Sequence, residues 1–326
     1  KYDTSGTKFI YSTYIGGAAD EAPHSLVVNS RDELYIFGTT GSRNFPTDSN
    51  SFQPNMKNPS ILNRRFLIGM GVVYDQGSDL FAFKLSADGK RRLGSTYLGG
   101  SKNDGLNDTS NVAEYRLRYN YADEVRGEID IDKDDNIYIA TCTRSTDFPI
   151  RGNSFSTTFN GGNQDGVIIK MTGDLDSIIW SSYLGGLGDD AIYSLAIDKA
   201  NNIYVTGGTT STDTTSFPNG SNPNHLTADS SRTNGFITHI RSDGSSVINS
   251  TYYGTKAYDQ IYFIELDRQG SVYIYGQSED STDFHFKNAL YGKSREGVFI
   301  AKLSGKLDTT YWSTLIGAGG TTSGGR

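Results

Sequence analysis

The chain has 326 residues, 35% of them apolar and 12% aromatic, with a formal net charge of −7. That length suits one large all-β domain or two smaller ones, the aromatic content argues against disorder, and an acidic chain without a basic stripe is a poor partner for a phosphate backbone. The single cysteine, Cys142, excludes an intrachain disulfide and a cysteine zinc cluster, and no apolar run approaches the roughly 20 residues of a membrane helix.

In chain order, Lys1-Tyr-Asp-Thr-Ser-Gly6 matches Lys84-Leu-Ser-Ala-Asp-Gly89, so residues 1–15 are expected to form the last strand of a preceding unit. Four full units follow, at about 19–98, 122–184, 189–253 and 258–315, and 316–326 would begin another. Each unit opens on a polar or acidic pair: Asp20-Glu21, Asp123-Glu124, Asp189-Asp190 and Tyr258-Asp259. From the first member of each pair, Leu34-Tyr35, Ile137-Tyr138, Ile203-Tyr204 and Val272-Tyr273 begin fourteen residues later. A constant interval inside a variable period means a fixed hairpin with insertions elsewhere. Its strands are β-branched and aromatic runs, such as Glu128-Ile-Asp-Ile-Asp132 and Ile137-Tyr-Ile-Ala140, joined by a polar turn.

A longer loop then carries Asn44-Phe-Pro46, Asp147-Phe-Pro149, Ser216-Phe-Pro218 or Asp283-Phe-His285. A third strand follows, for example Asp165-Gly-Val-Ile-Ile-Lys170. The fourth strand is a phrase written five times: Tyr11-Ser-Thr-Tyr-Ile-Gly-Gly17, Gly94-Ser-Thr-Tyr-Leu-Gly-Gly100, Trp180-Ser-Ser-Tyr-Leu-Gly-Gly186, Asn249-Ser-Thr-Tyr-Tyr-Gly-Thr255 and Trp312-Ser-Thr-Leu-Ile-Gly317. Nothing sustains a helical period. Four antiparallel strands per repeated unit predict an all-β fold, a β-propeller of four-stranded blades. A β-sandwich is the competitor, but it does not call for four copies of one module.

These phrases resemble the SBBP repeats, β-propeller repeats of bacterial secreted and surface proteins. The match spans essentially the whole chain and is tightest over 181–207; blade four departs from it at Tyr258 and His285. The run Leu315-Ile-Gly-Ala-Gly-Gly-Thr-Thr-Ser-Gly-Gly-Arg326 is also similar to propeller proteins of Bacteroidota exported by type IX secretion. The resemblance implies an extracellular or cell-surface location, with the periplasm as the alternative. Four blades would leave two apolar faces wet. The chain is therefore expected to be a segment of a larger ring, or to meet another chain.

Strand parity places the loops after strands two and four on one face, and both long insertions, about 50–78 and 101–121, fall there. Arg64, Arg65, Phe66, Tyr74, Tyr115, Arg116, Arg118, Tyr119 and Tyr121 are expected to form one aromatic and cationic surface, since Tyr and Arg anchor interfaces. The plainer alternative is that the insertions only extend the blades. The acidic pairs would either ring a cation or cap turns by accepting backbone N–H bonds, the commoner role. The four histidines, at 24, 225, 239 and 285, show no metal-ligand spacing, Cys142 reads as a buried bystander, and Trp180 and Trp312 share the core position of Tyr11. No catalytic residue, metal or cofactor is assigned. The expected function is a noncatalytic scaffold or adhesin module holding a protein partner, such as an outer-membrane or secretion complex. The alternative is a carbohydrate-binding or carbohydrate-active protein with Asp and Glu at the channel mouth, such as Asp189 and Asp190.

Overall fold

The computed structural model describes residues 1–57, 66–67, 72–107, 117–118, 123–212, 233–279, 286–289 and 297–317. It is an open arc of four antiparallel, four-stranded propeller blades, not closed into a ring. Blade one comprises β1 (Glu21–Val28), β2 (Leu34–Thr40), β5 (Asp79–Leu85) and β6 (Arg92–Leu98), with a two-stranded extension of β3 (Phe66–Leu67) and β4 (Val73–Tyr74). Blade two comprises β7 (Glu128–Ile131), β8 (Ile137–Thr143), β9 (Asp165–Met171) and β10 (Ile178–Leu184). Blade three comprises β11 (Asp190–Ile197), β12 (Ile203–Thr209), β13 (Asn234–Ile240) and β14 (Val247–Tyr253). Blade four comprises β15 (Asp259–Leu266), β16 (Val272–Ser278), β17 (Gly297–Leu303) and β18 (Thr310–Ile316).

The first hairpin of every blade turns in the same way. Asn29, Asp132, Asp198 and Asp267 each accept, on Oδ1, the N–H groups two and four residues ahead, at 2.8–3.0 Å. The residue third after each, namely Asp32, Asp135, Asn201 or Gly270, sits at positive φ. Asp, Asn and Gly tolerate that region best, and the side-chain cap holds the turn tight. Above each turn a basic strand-three side chain faces the strand-two tyrosine. Lys84, Lys170 and Lys302 lie over Tyr35, Tyr138 and Tyr273, and His239 stacks on Tyr204. The turn carboxylates Asp132 and Asp267 reach the lysines and Asp198 lies 3.5 Å from His239 Nε2; in blade one, where the turn residue is Asn29, Glu33 takes over.

Neighbouring blades pack face to face through three apolar clusters, one per joint. Each joint is also stitched by the strand-two tyrosine, whose hydroxyl donates to a turn carbonyl of the next blade. Tyr35 reaches Gly173 at 3.1 Å, Tyr138 reaches Asn201 at 3.4 Å and Tyr204 reaches Gly305 at 2.7 Å. The outer end of each joint is filled by one large side chain, supplied from either side. Tyr11 and Trp180 are aromatic and press on turn glycines, Gly89 and Gly244; a Cβ on Gly244 would lie 2.5 Å from Trp180 Cδ2. Where the preceding blade offers Gly94 or Asn249, the turn carries Leu175 or Leu307 instead. Both leucines sit at positive φ, 62° and 59°, a strained conformation for a side-chain-bearing residue, and both are buried in the joint core. Burial of about 1.5–3 kcal/mol per leucine outweighs the roughly 1–2 kcal/mol of backbone strain.

The outer strands of blades one, two and four are not left bare at their free edge. The loop between strands two and three runs down it: Tyr97 N–H donates to Gln53 O, Ser181 N–H to Arg151 O, Tyr183 N–H to Ser156 O and Ser313 N–H to Lys287 O, at 2.9–3.1 Å. Such cover removes unpaired strand groups from solvent.

Two expectations change. Residues 1–15 form no strand, only an isolated bridge between Tyr2 and Phe9, because no described strand lies beside them to complete a ladder. Tyr11 and Ile15 pack instead on the Phe45, Phe81 and Phe83 cluster of blade one. Blade two does not open at Asp123-Glu124. Its innermost strand begins at Asp104, which bridges Thr143 as Asp190 pairs Thr209 in blade three. The chain then leaves the strand and rejoins it at Glu128, so the second insertion interrupts strand one rather than linking two blades. Asp123–Val125 forms a short 3-10 turn.

Candidate functional site

The interrupted strand brings the second insertion into the hub of the arc. Leu117 is fully buried there beside Cys142, Ala191, Tyr193 and Tyr262, the last three on the innermost strands β11 and β15. Its carbonyl accepts three hydrogen bonds, from Asn107 Nδ2 at 2.7 Å, Tyr193 OH at 2.8 Å and Gln260 Nε2 at 2.9 Å. Asn107 Oδ1 accepts in turn from Gln164 Nε2 at 2.8 Å. Arg126, paired with Asp123 at 2.6 Å, lies 4.4 Å from the Tyr262 ring centroid. A buried, multiply bonded network of this kind fixes one geometry. Leu117 therefore fills the hub.

The expected aromatic and cationic surface is only partly visible. Arg64, Arg65, Tyr115, Arg116, Tyr119 and Tyr121 lie outside the described residues. Phe66 belongs to β3 and pairs in register with Tyr74. Tyr74 departs from the expectation: it is 1% exposed, packs with Ala22, Leu106 and Val125, and burial raises its phenol pKa. Its ring serves as core for the blade-one extension, so it is withdrawn from the surface set. Arg118 is part-exposed, and its guanidinium pairs with Glu124 at 3.2 Å.

The opening carboxylates act structurally. Asp104 Oδ2 accepts Gly100 N–H at 2.8 Å, Asp190 Oδ2 accepts Gly186 N–H at 2.9 Å, and Asp259 Oδ2 accepts Thr255 N–H at 2.5 Å. All three are fully buried. Burial, offset in part by these donors, pushes the pKa of both Asp104 and Asp190 up to about 7. Asp189 accepts the backbone N–H of Asn163 at 2.6 Å. Asp189 and Asp190 thus hold turns and a blade joint, the capping role weighed above.

A different acidic group faces the hub, one that the sequence reading missed. Glu128 and Asp130 on β7 and Glu265 on β15 belong to innermost strands and feel one another's charge. Burial raises the carboxyl pKa of Glu128 and of Asp130, and the Glu265 charge adds to both. Ser194 Oγ at 2.5 Å and Leu195 N–H at 2.9 Å hold Glu128 across the joint to blade three, while Glu265 is exposed. The signal was present as inward positions of strand one, but strand parity alone does not say which inward carboxylates share a hub.

His24 is half-buried, with its Nδ1 shielded from solvent, and desolvation lowers its pKa to about 3, so its ring is neutral; Nε2 lies 2.9 Å from Thr39 Oγ1. Burial pushes the Cys142 thiol up to about 12, far from a reactive thiolate. Trp180 is buried at the joint of blades two and three, and its Nε1–H donates to Ser242 O at 2.9 Å. Among the described residues no helix is long and apolar enough to cross a membrane.

Residues 179–213, from the outer strand of blade two through the first hairpin of blade three, match the family model described as Beta-propeller repeat (SBBP). No curated protein matches the chain. Among solved structures, it is similar to a protein of unknown function from Dyadobacter fermentans DSM 18053, at 11% identity over 97% of this chain and 69% of that one, with a TM-score of 0.43. A variant of the NanB sialidase from Streptococcus pneumoniae aligns at 9% identity over 91% of this chain and 49% of that one, TM-score 0.41. A GH43_12 protein retrieved from a capybara gut metagenome aligns at 11% identity over 91% of this chain and 41% of that one, TM-score 0.33. The chain thus spans about half or less of the last two.

Proposed function

We propose that the chain is a noncatalytic propeller module that holds a protein partner on its insertion-bearing face, as part of an exported bacterial surface or secretion assembly or as an adhesin module. One observation carries the reading: the opening carboxylates that would serve chemistry at the channel mouth are consumed by turn and joint contacts, and the hub behind them is filled by Leu117. A rigid scaffold with its loops gathered on one face is a common platform for recognition. Binding is assigned to Arg64, Arg65, Arg116 and Arg118 with the insertion aromatics Phe66, Tyr115, Tyr119 and Tyr121.

The test is quantitative cross-linking of the exported protein in its native cell envelope. The variant R64E/R65E/R116E should lose specific cross-links while keeping the wild-type melting temperature. Unchanged cross-links would remove the insertions from the binding role. A second reading rests on the hub acids: Asp130 and Glu265 lie on innermost strands, and the Glu265 charge helps raise the Asp130 pKa, while a glycoside hydrolase needs two carboxylates across a cleft. Turnover of any glycan in a broad panel, abolished by Asp130→Asn or Glu265→Gln, would establish that reading in place of the first.

A further inference from the structure

Each blade joint carries a buried pair of side chains next to the glycines of the repeated phrase. One partner opens strand three of a blade and the other opens strand one of the next: Asp79 with Asp104, and Asp165 with Asp190. A Cβ on Gly99 would lie 2.5 Å from Asp79 Cγ and 2.8 Å from Asp104 Oδ2; on Gly185 it would lie 2.5 Å from Asp165 Oδ1 and 2.7 Å from Asp190 Oδ2. The two carboxyl groups of each pair therefore converge over one glycine, and all four are fully buried.

The two members differ in their donors. Asp104 and Asp190 carry more donors: Asp104 accepts from Thr143 Oγ1–H on Oδ1 and from Gly100 N–H and Ser145 Oγ–H on Oδ2, and Asp190 accepts from Gly186 N–H and Ser211 Oγ–H on Oδ2. Asp79 and Asp165 receive donors only on Oδ2, from Gln53 and Lys57 N–H, and from Asn160 N–H. Their Oδ1 atoms are buried with no donor, as is Asp190 Oδ1, so the second pair differs only in the number of donors on Oδ2. Two buried carboxylates cannot both stay charged at this range without a neutralising group. The sites are lined by N–H and O–H donors, which suits an anion and not a cation. The third joint supplies the missing chemistry in its sequence. There Asn234 opens strand three at the register position of Asp165, opposite Thr209 as Asp165 is opposite Thr143, and Asp259 is the next opener. An amide donates a hydrogen bond as a protonated acid does and carries no charge.

We propose that Asp79 and Asp165 each hold a proton at neutral pH and donate it as an O–H hydrogen bond to Asp104 and Asp190, so that two of the three blade joints are proton-locked and the third is locked by Asn234. Around the first pair, Lys57 and Tyr97 face Asp79, and Asp147 and Cys142 face Asp104; around the second, Asp189 and Tyr183 complete the set. Only Lys57 is cationic, and its side chain is about half exposed. Burial first, then the neighbouring carboxylate, raises Asp79 well above the usual range and Asp165 to about 8.

Unfolded aspartate titrates near about 3.9. Between that value and about 8 the native chain holds protons that the unfolded chain has lost, so stability falls as pH rises through this window and levels off above it. Urea unfolding of the whole chain at pH values from 5 to 9 reads the number of protons as the slope of stability against pH. Relative to wild type, Asp165→Asn should lower the proton count near pH 7 by about one and Asp79→Asn/Asp165→Asn by about two, with stability at pH 5 little changed. An unchanged slope in the double variant overturns the proposal. If the double variant fails to fold, infrared difference spectra between wild type and the single variant decide. A protonated-carboxyl band at pH 7 that weakens in the single variant Asp165→Asn supports the lock, and a band that this substitution leaves unchanged overturns it.

Discussion

Replacing Trp180 tests the packing rule that one large side chain fills each joint from either side. Trp180→Ala removes a fully buried ring that packs in the joint cluster of blades two and three, edge-on to Tyr138 at 6.4 Å, and donates to Ser242 O. Buried Trp-to-Ala changes cost about 3–5 kcal/mol, and the lost N–H bond lies within that range. Gly244→Leu alone should also destabilise, by about 1–3 kcal/mol, because its Cβ would meet Trp180 Cδ2 at 2.5 Å and its φ is +72°. Together the two changes recreate the arrangement of Gly94 with Leu175 and of Asn249 with Leu307. The double variant should therefore be more stable than the sum of the singles predicts, by about 1–3 kcal/mol. Urea unfolding followed by far-ultraviolet circular dichroism gives the three differences free of tryptophan fluorescence. Additive losses would show that Trp180 and the Gly244 turn do not share one space, and the packing rule would fall. Trp312 provides the control: it holds the same repeat position but is only part-buried, so Trp312→Ala should cost clearly less than Trp180→Ala.

Tyr204→Phe should lose about 1 kcal/mol with its 2.7 Å bond to Gly305, whereas Tyr273→Phe, on the open face of blade four, should stay within about 0.5 kcal/mol of wild type in the same unfolding assay. Gly185→Ala should destabilise by more than about 1 kcal/mol, since the added methyl would sit between Asp165 and Asp190. Cys142 should resist a thiol reagent in the folded protein and react at full rate in urea; prompt labelling of the native chain would contradict its burial.

Much of this architecture was legible because the blades repeat. Strand-two tyrosines, turn aspartates and the outer-strand phrase kept their spacing, and all have repeated structural jobs. The ruler failed in blade two for a definite reason. It was counted backward from the second strand, and Asp123 satisfied it, but the chain leaves strand one after Gly105 and returns near Glu128. A second ruler was available. Glu21, Asp104, Asp190 and Asp259 each follow Gly17, Gly100, Gly186 or Thr255 by four residues and bond its N–H. The hub plug was not legible, since three hydrogen bonds converge on a backbone carbonyl, and a carbonyl has no letter in the sequence. The exchange of aromatic for leucine across joints was likewise hidden. Leu175 and Leu307 occupy turn positions where glycine is the usual expectation, and only the facing Gly94 and Asn249 explain them.

The loop that runs along the outer strands of blades one, two and four has a consequence for crowded conditions. Blade four presents Phe263, 54% exposed, Tyr273 and Ile300 on a face that no other blade covers among the described residues, yet its perimeter strand already has a hydrogen-bonding companion at Lys287. Self-association of this molecule is thereby steered toward stacking of flat surfaces, which a few charged substitutions can block. Lengthwise recruitment of stray β-segments, the route that seeds fibrils, finds its template taken.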